Sequence, residues 1–247
     1  MNILLNGALG KMGSEILKAS QGVGNFNIVC GFDKEEKNIG FPVYDDINNI
    51  KEDVDIIIDF SVPVATFKIL EYARNNKVPV VIATTGFSKE ELGKIEEISK
   101  EIPIFRSANM SFKVNLMADI LESVAKTLED TDIEIIETHH NRKIDSPSGT
   151  AILLADSINK GLENKKEYTF DRMQKRKKRQ KNEIGFSSIR GGNIVGEHQV
   201  IFFWENDCIE ITHRAYSRGL FAEGALKAAE FLIGKEPGLY DMKSMLK

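Results

Sequence analysis

Short runs of apolar and β-branched residues recur along the first half of the chain, and between them apolar positions return every three or four residues. The runs at 2–6, 27–31, 54–60, 78–84 and 102–106 predict strands, and the stretches 10–20, 64–75 and 88–99 predict helices. Within the runs Ile and Val follow one another instead of alternating with polar residues, as in Ile56-Ile57-Ile58, so both faces of each strand are expected to be covered. Strand and helix in alternation predict an α/β domain with a Rossmann-type parallel sheet.

The pattern changes after Ala108. A long helical stretch at 114–128 leads to a strand at 133–138, a polar loop and a helix at 151–160. Strands at 184–190, 194–204 and 208–213, joined by Gly-rich or Asn-Asp turns, predict a second α+β domain with an open mixed sheet. The last long helix, 220–233, is expected to return to the first domain, which divides the chain into 1–110 with 218–247, and 111–217.

Composition narrows the function classes. The 247 residues carry a net charge of -4, with 42% hydrophobic and 28% charged residues, as in an ordinary globular protein and unlike a general polyanion binder. Apolar stretches such as 78–83 fall far short of the roughly 20 residues of a membrane span, so neither nucleic acid nor membrane is an expected partner. The chain starts directly on a strand with no basic leader, and Cys30 and Cys208 have no metal or redox spacing; a cytoplasmic protein with two reduced core cysteines is expected. The basic run 175–181, broken by Gln180, reads first as a solvated loop and second as a contact for an anionic cofactor.

Gly7-Ala8-Leu9-Gly10-Lys11-Met12-Gly13 follows the first strand and opens a helix, the context in which glycines let backbone N–H groups approach a pyrophosphate at a helix N-terminus. Lys11 adds a full positive charge. Asp33, 20 positions after Gly13 at the end of the second strand, suits the adenosine ribose hydroxyls. A nucleotide cofactor is therefore expected. Asp33 would repel a 2′-phosphate and favour NADH, whereas Lys34 would neutralise one, which leaves NADH and NADPH both open. Other strand ends, Asp59-Phe60-Ser61, Ala83-Thr84-Thr85-Gly86 and Ser107-Ala108-Asn109-Met110, are candidates to line a nicotinamide pocket.

The densest polar segment runs from His139 to Thr150 and holds two of the four histidines. An imidazole exchanges protons near neutrality and a lysine donates one or offsets negative charge, which a reduction needs as charge builds on the heteroatom next to the reduced carbon. His139 and Lys143 are the candidate acids. Ser148-Gly149-Thr150 opens a helix and, with Arg142, Lys143 and Arg218, suits a substrate with two carboxylates. Adjacent histidines without a nearby Cys or carboxylate pair make poor chelators, so no metal is expected. His198 and His213 read as strand-embedded supports.

These segments, with Arg190-Gly191-Gly192, Val195-Gly196-Glu197-His198 and Pro237-Gly238-Leu239-Tyr240-Asp241-Met242, resemble the 4-hydroxy-tetrahydrodipicolinate reductases over nearly the whole chain. The resemblance implies NADH- or NADPH-dependent reduction of the cyclic condensation product of pyruvate and aspartate semialdehyde, in lysine biosynthesis. It implies His139 as proton donor or acceptor, Lys143 as proton donor, and His140, Gly149 and Thr150 as substrate-binding residues. It further implies cofactor contacts at Gly7, Ala8, Leu9, Gly10, Lys11, Met12, Asp33, Ala83, Thr84, Thr85, Ser107, Ala108, Asn109 and Met110. By the same resemblance the first domain binds the dinucleotide and the second binds substrate and builds a homotetramer. The chain departs from the family at Ala83, typically Gly, at Met110, commonly aromatic, and in the basic run, usually richer in Gly. The rival readings are another two-domain dehydrogenase, which has no reason to carry both His139-His140 and Ser148-Gly149-Thr150, and a non-catalytic nucleotide sensor, which would show no turnover.

Overall fold

The computed structural model describes all residues except 23–25, 174, 175 and 247. In chain order the elements are β1 (Asn2–Asn6), α1 (Lys11–Gly22), β2 (Asn27–Phe32), β3 (Lys37–Asn38), β4 (Pro42–Tyr44), β5 (Ile56–Asp59), α2 (Pro63–Asn76), β6 (Val80–Ile82), α3 (Lys89–Ser99), β7 (Pro103–Arg106) and α4 (Phe112–Thr127). There follow β8 (Asp132–His139), α5 (Gly149–Gly161), β9 (Glu167–Thr169), β10 (Glu183–Arg190), β11 (Gly196–Phe203), β12 (Cys208–Ala215), α6 (Gly219–Leu232), β13 (Gly238–Tyr240) and α7 (Met242–Leu246). They form two compact units, Met1–Phe112 with Arg218–Lys247, and Lys113–Ser217. Among the described residues no helix is long and apolar enough to cross a membrane.

The sheet of unit 1 is ordered β13-β7-β6-β5-β1-β2-β4-β3. Its pairings are parallel except β3 with β4. Strand order reverses at β1, between β2 and β5, which opens a crevice beyond the carboxyl ends there. The consecutive apolar residues of the strands serve two layers. Ile3, Leu5, Ile56 and Ile58 pack with Ile16 of α1 and Ala225 and Leu232 of α6, while Leu4 and Ile57 pack with Ile69 and Leu70 of α2 and Ile95 of α3. Each buried isoleucine or leucine contributes about 1.5–3 kcal/mol. α3 opens on a capping box in which Ser88 and Glu91 satisfy each other's backbone N–H. In α6 a Cβ on Gly224 would collide with the Met110 carbonyl, so the glycine lets the helix lie directly on that backbone.

Unit 2 holds the mixed sheet β12-β11-β8-β10-β9, in which β8, β10 and β9 run parallel and β11 and β12 antiparallel to their neighbours. β8 alternates in the expected way: Ile133, Ile135, Glu137 and His139 are buried on one face. The two isoleucines pack with Leu121 and Ala125 of α4, Leu154 and Ile158 of α5, and Val200 and Phe202 of β11. Gly161 lets α5 close onto α4, since a Cβ there would meet the Glu122 carbonyl.

Several elements carry no readable period. β3, β4, β9 and β13 span two or three residues each, too few for alternation to register. The apolar run 78–84 shortens to Val80–Ile82, preceded by Pro79, which has no N–H for the ladder. One further expectation needs correction. Cys30 is buried, with its thiol pushed up to about 12 by burial and then by Glu52, but Cys208 is exposed because it starts β12, an edge strand whose side chains are largely uncovered. The basic run is solvated as expected at Arg176, Lys177, Lys178 and Lys181, all exposed and outside any helix or strand, whereas Arg179 is half-buried. Arg179 pairs with Asp132 and Glu134 and donates to the carbonyls of Ile133 and Glu183, while neighbouring Arg172 bridges Glu134 and Glu183. Lys175 lies outside the described residues. His213 is half-buried, and its Nδ1 finds no partner among the described residues.

Candidate active site

In unit 1 the turn from β1 to α1 is shaped by backbone contacts. Gly7 takes φ +81°, and a Cβ there would stand 2.5 Å from the Phe60 carbonyl oxygen, so only glycine lets the turn lie against the β5 end. Gly10 N–H donates to the Gly7 carbonyl at 3.0 Å, and a Cβ on Gly13 would collide with the Ala8 carbonyl as α1 begins. Asp33, at the end of β2, accepts from Leu9 N–H at 2.8 Å through one oxygen and from Lys34 N–H at 2.8 Å through the other.

Next to this turn lies a groove of about 700 Å³ lined by Gly7, Leu9, Gly10, Asp33 and Lys34, with Phe60, Val62, Val64 and Lys68 on the other side. A second cavity of about 370 Å³ is lined by Lys11, Met12, Ala83, Ala108, Asn109 and Met110, together with Phe60, Arg218 and Phe221. Phe60 borders both. Sequence reasoning missed Val62, Val64, Lys68 and Phe221, which carry no signal beyond lying near strand ends or on helices. Ala8 and Thr84 are buried, Thr85 is exposed, and Ser107 exchanges hydrogen bonds with the Asn109 backbone; none of the four lines either cavity. Thr84 instead accepts from Ser61 N–H at 2.9 Å. Asp59 is fully buried and binds Asn6, Ser61 and Thr66, at 2.6 Å to the Thr66 hydroxyl. Burial raises its carboxyl pKa against those hydrogen bonds, and the cluster ties the β5 end to β1 and α2.

The turn and groove fit a dinucleotide. A cradle that a single Cβ would fill lies at a strand-to-helix turn, at the order reversal of a parallel sheet, beside a cavity of about 700 Å³, within the range of cofactor pockets.

Unit 2 concentrates side chains. His139 ends β8, and its Nδ1 lies 2.5 Å from Glu137 Oε2. Glu137 is 1% exposed and also takes both Arg190 nitrogens, at 2.8 and 2.7 Å, and the Ser148 N–H at 3.2 Å. Burial alone would raise Glu137, but the hydrogen bonds from Arg190, Ser188 and His139 outweigh it and hold the carboxyl at about 2. His139 is shifted down, chiefly by burial and against the pull of Glu137. A Cβ on Gly196 would come within 3.0 Å of His139 Nε2, so the glycine keeps that ring edge uncrowded. His198 of β11 stands edge-to-face to His139 at 5.1 Å, shares a 2.8 Å hydrogen bond with the Ser148 hydroxyl, and is pushed by burial down to about 3. Its sequence-based reading as a support agrees with this buried, bonded position.

The loop after β8 is clasped to the β10–β11 turn. His140 N–H donates to Ile194 O, Asn141 N–H to Gly192 O, and Arg142 to Asn193 at 3.0 Å. His140 Nδ1 is buried without a partner among the described residues, a state that costs about 1–3 kcal/mol until something pairs with it. Lys143 Nζ holds both Asp145 oxygens at 2.8 Å. Ser148 caps α5 by accepting from Ala151 N–H at 3.1 Å, and Gly149 faces open space at the positive end of that helix. The loop thus gathers His139, His140, Lys143 and Gly149-Thr150 between β8 and α5, while Arg218 belongs to the smaller cavity of unit 1. In unit 2 sequence reasoning missed Glu137, and it named Arg190 only within a motif, without a role. The period of a strand carried the signal for Glu137, two places from His139 on the same face.

Comparisons with known proteins identify the family; their boundary near residue 112 coincides with the first limit between the units, but the C-terminal match also takes in α6, β13 and α7 of unit 1. Residues 1–110 match the family model described as dihydrodipicolinate reductase, N-terminus, and residues 113–246 match dihydrodipicolinate reductase, C-terminus. The chain is 50% identical over 247 residues to 4-hydroxy-tetrahydrodipicolinate reductase of Caldanaerobacter subterraneus subsp. tengcongensis, covering 100% of this chain and 98% of that one. It is 49% identical over 248 residues to the protein of the same name in Clostridium tetani, covering 100% and 97%. Among solved structures, dipicolinate-bound dihydrodipicolinate reductase from Paenisporosarcina sp. TG-14 superposes with a TM-score of 0.81 at 23% identity, covering 100% of this chain and 99% of that one, which bears on the fold. The chain belongs to the dihydrodipicolinate reductase family.

Proposed function

We propose that this member of the dihydrodipicolinate reductase family uses NADH or NADPH to reduce 4-hydroxy-tetrahydrodipicolinate to tetrahydrodipicolinate, with the 4-hydroxyl leaving as water, in the diaminopimelate route to lysine. The observation that carries the reading is the loop from His139 to Thr150, which sets a buried imidazole, an ammonium and a helix N-terminus within twelve consecutive residues. The coenzyme supplies hydride when bound. In this reading the Gly7–Met12 turn and Asp33 hold it, Lys34 meets a 2′-phosphate, and Ala83 and Ala108–Met110 line the nicotinamide end, with Ser107 bonded to the Asn109 backbone behind them.

His140 Nδ1 and the opening of α5 at Gly149 and Thr150 bind the substrate carboxylates, which pairs the orphaned nitrogen and meets the positive end of the helix. Lys143 donates a proton to the heteroatom on which charge builds, and Asp145 releases it to do so. His139, kept neutral by burial, exchanges a proton at Nε2. A homotetramer built on the sheet of unit 2 is consistent with the exposed β12, where Ile209 is 47% exposed. A cytoplasmic setting is consistent with two free cysteines.

Purified protein is expected to oxidise NADH or NADPH only when the condensation product of pyruvate and aspartate semialdehyde is supplied. Lys143→Ala and His139→Gln should each slow turnover about 100-fold or more while sparing coenzyme affinity. Wild-type rates from either variant would remove that residue from the mechanism, and a steady-state comparison of both coenzymes reads reaction and preference together.

A further inference from the structure

We infer that Glu137 is a positioning residue that fixes the tautomer and ring orientation of His139, with Arg190 and the Ser148 N–H holding the carboxylate in place. The inference rests on the reading of His139 as the proton-exchanging group.

Strand register assembles the cluster. Glu137 and His139 lie two residues apart on β8 and so share a face, Arg190 is paired with His139 across β10, and His198 is paired with Glu137 across β11. The carboxylate is the central member. It accepts two hydrogen bonds from the Arg190 guanidinium, one from Ser148 N–H at the start of α5, and one from His139 Nδ1. Arg190 is itself anchored to the Asp145 carbonyl at 2.8 Å, within the loop that carries Lys143. A carboxylate ionised at neutral pH offers lone pairs only, so Nδ1 must carry the hydrogen and Nε2 the lone pair. Nε2 is the nitrogen beside Gly196, where the missing side chain leaves room. Once Nε2 takes a proton, the imidazolium formed is stabilised by the same carboxylate.

The groups facing His139 are Glu137 from its own strand, Arg190 from β10, His198 from β11 and Lys143 from the following loop. Of these, Glu137 is the one that favours the charged imidazole; Lys143 and Arg190 oppose it. Removing the carboxylate therefore drives the His139 pKa lower.

The test compares full-length wild type, Glu137→Gln, His139→Gln and the double variant. Glu137→Gln is expected to lower kcat about 100-fold with substrate KM and coenzyme affinity near wild type. The limb of the pH profile set by His139 should move down by about one pH unit, and the double variant should be no slower than His139→Gln alone. A folded Glu137→Gln with unchanged kcat and pH profile, or losses that multiply in the double variant, would overturn the inference while His139→Gln stays slow. Wild-type turnover by His139→Gln would instead overturn the reading beneath it. Nitrogen NMR of histidine-labelled wild type at neutral pH gives a measurement independent of whether Glu137→Gln folds: His139 protonated at Nδ1 supports the inference, and protonation at Nε2 alone falsifies it.

Discussion

In unit 1 the groove is made by backbone: Gly7 at positive φ, the Leu9 N–H on Asp33, and strand ends brought level by a parallel sheet. In unit 2 the polar cluster is made by side chains, where Glu137, His139, Arg190, His198 and Ser148 satisfy one another in a buried layer. A backbone site depends on chain path and is intolerant of a single added carbon. A side-chain site depends on protonation, so pH acts on it before sterics do.

The largest expected effect breaks the first kind of site. Gly7→Ala forces a Cβ to within 2.5 Å of the Phe60 carbonyl at a φ of +81° and should cost about 2–4 kcal/mol of stability with at least about a tenfold loss of coenzyme affinity, read by denaturant melts and by titration. Unchanged melts and affinity would mean that the turn is not built as described.

A smaller effect sharpens the second. Folding holds His198 neutral with a pKa near 3 against a reference of 6.5, so the unfolded chain binds a proton that the folded chain refuses. The sign follows: stability is full above pH 6.5 and is lost as pH falls toward 3. Between pH 6.5 and 4.5 Glu137 adds no slope, since its own loss begins below its reference of 4.5. His198→Gln should therefore remove on the order of 2 kcal/mol of acid sensitivity in that window, leaving the part due to His139 and His213, which are also shifted down. Melts of wild type and variant that stay parallel from neutrality to pH 4.5 would contradict it.

The smallest effect returns to unit 1. Lys34 lies in the groove with Asp33, and Lys34→Ala should weaken NADPH about fivefold relative to NADH, an amount suited to an exposed charge. Equal loss for both coenzymes would assign the lysine elsewhere.

Much of this molecule was legible one element at a time. The Ile-rich runs announced buried parallel strands because the side-chain requirement of a two-sided sheet is local, and the glycine turn was legible because its spacing reports backbone conformation. The segment His139 to Thr150 stood out because its ionisable groups are adjacent in sequence. The pairing of Glu137 with Arg190 did not stand out, since the two lie 53 positions apart and meet through strand pairing. Phe60 was legible because it follows a strand end, but Val64 and Phe221 gave no sign of lining a cavity, since an apolar residue reads alike whether it faces a core or a cavity.

The sequence by itself determined the alternation of strands and helices, the place of the cofactor turn and the position of the polar loop, each set by residues within a few places of one another. Tertiary structure alone decided which charges are buried, that Arg179 is tied to acids of β8, that Cys208 lies on an open edge, and which nitrogen of His139 is held. Those outcomes depend on distances between residues remote along the chain, and on how much water remains around each charge once the sheets are paired and covered.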